Sequence, residues 1–98
     1  MVILHATFRV KPEMLDSALE HCNTVLGPSR SEPGCASYSF YCSPSDPCEM
    51  IFVEEWKSAD ALREHFRKPH VLAFFASIPD FVANDPVIKI FEAELTEL

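Results

Sequence analysis

Residues 53–71 read VEEWKSADALREHFRKPHV. The first residues alternate as a strand does, with Glu54 and Trp56 on one side and Val53, Glu55 and Lys57 on the other. Ser58 is a natural N-cap, and Leu62, His65 and Phe66 then recur at i, i+3 and i+4 along one helix face. Pro69 breaks that helix and suits the first position of another, "PHVLAFFAS" (69–77). The only Trp of the chain and two of its four His stand at this junction.

Working outward, "IPDFVAND" (78–85) reads as irregular or a short turn, and "PVIKIFEAELTEL" (86–98) begins as a last strand. Upstream, "CEMIFVEEWK" (48–57) carries Met50, Phe52, Glu54 and Trp56 on one face and Ile51, Val53, Glu55 and Lys57 on the other. Apolar residues on both faces predict a central strand covered on both sides. The turn-rich "SPSDP" (43–47) joins it as a hairpin to "CASYSFYC" (35–42), with Ala36, Tyr38 and Phe40 on one face. "PSRSEPG" (28–34) reads as a loop. "KPEMLDSALEHCNTVLG" (11–27) reads as a helix that Pro12 opens, Gly27 and Pro28 close, and Cys22 helps to pack. "VILHATFRV" (2–10) is the first strand. Val2, Leu4, Ala6, Phe8 and Val10 form its core face, and His5 and Thr7 on the other face are expected to line a cavity.

The element order predicts an α+β, ferredoxin-like β-α-β-β-α-β domain over residues 1–98. One four-stranded antiparallel sheet would carry its helices on one face. The bare face then calls for a second copy, sheet against sheet, which predicts a homodimer closed as a dimeric α+β barrel.

A net charge of −7 repels phosphates, which argues against nucleic acid and anionic membrane surfaces. No apolar run reaches the ~18 residues of a membrane span, and the N-terminus lacks the pattern of a secretory signal. A cytoplasmic protein is expected, with Cys22, Cys35, Cys42 and Cys48 as free thiols whose spacing does not match zinc knuckles. A metal shared by His65 and His70 is disfavoured, because i, i+5 across a proline is not the spacing of helical metal pairs.

The segments "EPGCASYSF" and "FVEEWKSADALREHFRKPHV", with the length and element order, resemble the antibiotic biosynthesis monooxygenase domain of the dimeric α+β barrel superfamily. The resemblance covers nearly the whole chain. It implies a cofactor-free monooxygenase that holds an electron-rich quinol or phenol between sheet and helices, removes a phenolic proton, and lets the anion reduce O2. On that reading His65 and Glu54 are the catalytic candidates. Trp56, Tyr38, His70, His5, Thr7 and Phe75 are candidates for substrate contact. No metal or cofactor is expected. Haem-degrading members of the fold carry an Asn on the first strand, a Trp where His65 stands and a haem-ligating His further on. His5, Thr7 and Phe75 depart from that pattern.

Each residue also has a purely structural reading. His65 would be a core histidine, Trp56 a packing residue, Phe75 part of the core with Phe74, and Glu54 an ion-pair partner of Arg9, Arg63 or Arg67. A proton-transfer enzyme acting on a small dicarbonyl would use much the same pocket, and so would a non-enzymatic, stress-responsive binding dimer.

Overall fold

The computed structural model describes all residues, 1–98. β1 (Val2–Arg9) leads through a 3-10 turn (Pro12–Met14) into α1 (Leu15–Thr24) and α2 (Leu26–Arg30). β2 (Cys35–Cys42) and β3 (Glu49–Trp56) form the hairpin. α3 (Ala59–His65) and α4 (Pro69–Phe81) follow, then β4 (Val87–Glu92). The sheet order is β2-β3-β1-β4, with every neighbour antiparallel. This is the ferredoxin-like arrangement that the element order predicts. No helix is long and apolar enough to cross a membrane.

The core lies between the helices and one sheet face. β1 contributes Val2, Leu4 and Phe8, and β3 contributes Met50, Phe52, Glu54 and Trp56, all buried. Ala18 and Cys22 of α1 and Leu62, Phe74 and Phe81 of α3 and α4 close it from above. Trp56 is fully enclosed; truncating it to Ala would cost about 3–5 kcal/mol. The opposite sheet face carries Ile3, Thr7, Ile51, Val53, Val87 and Phe91, with no helix over it.

Three local expectations change. Gly27 and Pro28 do not end the first helical segment: the chain bends at Val25 and α2 runs through both residues to Arg30. Pro28 is the third residue of α2, within the first turn, where no N–H is required of it. The segment 78–85 is not irregular throughout, since α4 continues across Pro79 to Phe81. Phe81 is wholly buried, packs on Phe8 and stacks on His21, and its carbonyl accepts the Lys11 N–H at 2.9 Å. Tertiary packing outweighs the proline. Ala36 does not share the inward face with Tyr38, because a bulge between Cys35 and Ser37 removes it from the register and leaves it exposed.

Candidate functional site

A cavity of about 380 Å³ opens between the sheet and α4. Leu4, Phe8 and Phe52 form its floor, and Phe66, Phe74 and Phe75 line it from α4 and the segment before it. Thirteen of its eighteen lining residues are hydrophobic, which suits a flat apolar ligand held by few polar groups. Those groups are Glu54, Tyr38 and His65, with Asp85 among the lining residues where the chain leaves α4. A larger depression of about 500 Å³ lies at the hairpin end, lined by Thr7, Arg9, Tyr41 and Glu49 among others. It is open and charged, and none of the buried titratable groups reaches it.

Strand alternation aims Glu54 inward beside Trp56, and the indole N–H donates to Glu54 Oε1 at 3.0 Å. Burial pushes the Glu54 carboxyl up to about 7; the Trp56 bond pulls it down, and the charge of Glu32 pushes it further up. His65 ends α3 at 2% exposure. Its Nε2 faces Glu54 Oε1 at 3.8 Å, and its Nδ1 lies 2.7 Å from Glu32 Oε2. Burial lowers the His65 pKa, Glu32 raises it, and His70 lowers it again. Tyr38, 4% exposed, tilts against the His65 ring with centroids 5.4 Å apart. Burial and then Glu54 push its phenol up, so it stays a neutral hydrogen-bonding group.

The structure thus gathers Glu54, His65, Tyr38 and Phe75 around one cavity. Phe75, 40% exposed, sits on its rim. Trp56 is not a wall of the cavity; it lies behind Glu54 and reaches it by the indole N–H. His70 does not line it either. It stands behind His65, joined through Glu32, with Nε2 2.9 Å from the same Oε2. His5 and Thr7 are on the opposite sheet face, because odd positions of β1 point away from the helices. His5 meets Phe91 edge-on there, with centroids 5.8 Å apart. Glu54 pairs with none of the arginines: Arg9 is taken by Asp46, Arg63 by Asp60 and Arg67 by Glu64.

Glu32 is the residue that sequence reasoning missed. It lies in the "SEPG" loop, outside any periodic pattern and 33 positions from His65. Its only local signal is the Pro33-Gly34 turn that follows. Gly34 packs so closely on α3 that a Cβ there would collide with Ala61. The loop is tied down by Glu32 N–H to Ser29 O, Cys35 N–H to Glu32 O and Lys57 N–H to Gly34 O. Glu32, His65 and His70 place three ligand-type atoms within 4.8 Å of one another, a donor set that suits a divalent cation in kind. Both ring nitrogens point at one carboxylate oxygen, which is the geometry of hydrogen bonds.

The family model described as antibiotic biosynthesis monooxygenase matches residues 1–77. An uncharacterized protein of Synechocystis is 34% identical over 96 residues; the match takes in 98% of this chain and 65% of that protein, so the chain spans less than two thirds of it. YcnE of Bacillus subtilis, named as a candidate monooxygenase, is 26% identical over 99% of this chain and 100% of its own. The solved structure of Rv0793 from Mycobacterium tuberculosis superposes with a TM-score of 0.90 at 28% identity, covering 98% of this chain and 96% of that one.

Proposed function

The chain belongs to the antibiotic biosynthesis monooxygenase family, and from that premise we propose that it is a cofactor-independent monooxygenase oxidising a quinol or related electron-rich phenol with O2. The observation that carries this reading is the pairing of Glu54 with His65, 3.8 Å apart, on the lining of an otherwise apolar cavity. A base with a pKa of about 7 is matched to taking a phenolic proton at neutral pH. Glu54 is the first acceptor and His65 the second. Tyr38 donates a hydrogen bond to a substrate oxygen, and Phe52, Phe74 and Phe75 hold the ring and exclude water.

The chemistry balances without another reductant. The substrate anion gives its electrons to O2, which bonds to a ring carbon as a peroxide. Cleavage of the O–O bond leaves one oxygen on the ring, and the returned protons carry the other away as water. A quinol ring C–H becomes C–OH while the quinol becomes a quinone, so all four electrons come from the substrate.

A second copy over the bare sheet face belongs to this reading, supported by the apolar side chains of Ile3, Ile51, Val53 and Phe91 there. A cytoplasmic setting goes with it, supported by four free thiols. The test is O2 uptake with freshly reduced quinols and hydroxyanthracenes, autoxidation subtracted. Uptake with oxygen incorporated into the quinone sustains the proposal; no uptake above background on the whole panel overturns it.

The Glu54–His65 pair also favours a second reading, proton transfer between carbons of a small dicarbonyl, which needs two such groups within reach. Exchange of substrate C–H for deuterium without O2 consumption would select it.

A further inference from the structure

We propose that Glu32 is a positioning residue that clamps His65 in the tautomer whose Nε2 lone pair faces Glu54, with His70 holding the clamp from the solvent side. The inference deepens the reading of Glu54 and His65 as the proton-handling pair and rests on it for its consequence, but its geometry stands without any substrate.

An ionised carboxylate only accepts hydrogen bonds. Glu32 Oε2 lies 2.7 Å from His65 Nδ1 and 2.9 Å from His70 Nε2, so both nitrogens carry hydrogens and both donate to it. His65 in neutral form then has no hydrogen on Nε2, and that nitrogen faces Glu54 Oε1 at 3.8 Å. The separation is longer than a hydrogen bond, as catalytic pairs often are before substrate closes them. A proton taken up by Glu54 can pass to His65 Nε2 with no other rearrangement. The imidazolium formed stands against the Glu32 carboxylate, as in a carboxylate–histidine–base triad. The groups facing His65 come from four places: Glu32 from the loop, His70 from α4, Glu54 from β3 and Tyr38 from β2.

Three features show that the clamp is built. Glu32 is 8% exposed, and a carboxylate is rarely placed so deep without a partner that offsets its desolvation. The close approach of Gly34 to Ala61 brings its loop against α3. Pro69 starts α4 four residues after His65 and sets His70 on the far side of the same oxygen.

The test uses 15N NMR of ring-labelled histidines, which needs no turnover. At pH 8 the wild type is expected to show His65 with a protonated Nδ1 and an unprotonated Nε2. Glu32→Gln puts an amide that donates as well as accepts beside Nδ1, so it should no longer hold His65 in one tautomer; it should also lower the protonation midpoint of His65 and reduce turnover about 10-fold or more. Glu32→Ala should release His65 into mixed tautomers. If Glu32→Ala does not fold, Glu32→Gln and the wild-type spectrum still decide. A wild-type His65 protonated on Nε2 overturns the clamp, as does an unchanged His65 midpoint in Glu32→Gln. Saturable Zn2+ binding at micromolar concentration, abolished by Glu32→Ala, would also overturn it and reassign the three residues as a metal site. A wild type with the expected tautomer but no O2 uptake would remove the oxygenase reading and leave the clamp standing.

Discussion

Trp56 donates its indole N–H to Glu54, two residues back on the same strand, across 3.0 Å inside the core. The bond joins a fully buried aromatic to the buried carboxylate that lines the apolar cavity. It works against the larger effect of burial, which holds Glu54 at about 7. The sole tryptophan at the strand-to-helix junction therefore acts on the site through a carboxylate and has no contact with the cavity.

The pH dependence of turnover follows from that pKa. As the proposed base Glu54 would work only when ionised, so kcat/KM should rise with pH through about 7. Trp56→Phe removes the one hydrogen bond that lowers the Glu54 pKa and should move the acid limb to higher pH. A pH–rate profile of both proteins checks the direction; an unmoved limb would separate Trp56 from the titration.

Glu54→Gln should lower turnover by about 10²-fold or more while the fold persists. His65→Ala should do the same, with some loss of stability because Glu32 loses a partner. Oxygen uptake measured beside circular dichroism separates lost chemistry from lost structure. Full activity in either variant would remove that residue from the mechanism.

Stability should show the cost of ionising Glu54. Its folded-state pKa of about 7 lies above the ordinary 4.5, so the folded state holds the proton more tightly than the unfolded state. Below the ordinary value both states are protonated and the group contributes nothing. As pH rises from 4.5 through about 7, stability falls, by up to ~3 kcal/mol at ~1.36 kcal/mol per unit. Glu54→Gln should therefore gain stability over wild type at pH 8 and little at pH 4. Urea denaturation at the two pH values measures the difference.

Oligomeric state tests the bare sheet face. Light scattering at micromolar concentration should give the mass of two chains, and Ile51→Arg, in the middle of that face, should give one. A monomeric wild type would leave the face without the partner assigned to it.

The elements are legible in the chain wherever the signal is local. Met50, Phe52, Glu54 and Trp56 alternate, so their common face needs no knowledge of the fold. Leu62, His65 and Phe66 recur at helical spacing, so His65 is known to point inward before its neighbours are. Those two periodicities, with the element order, determine the sheet, the helices on one side, and Glu54 and His65 on the faces that meet between them; packing decides that both reach one cavity while Trp56 does not. Local rules fail where distant contacts outweigh them. Burial of Phe81 carries α4 through Pro79. His5 and Thr7 face away from the cavity, as their alternation with Leu4 and Phe8 requires. Glu32 has no periodicity to betray it. It meets His65 and His70 only because the sheet, the loop and the start of α4 converge. Periodicity assigns a residue to a face, whereas the partner of a buried charge depends on which segments the whole chain brings together.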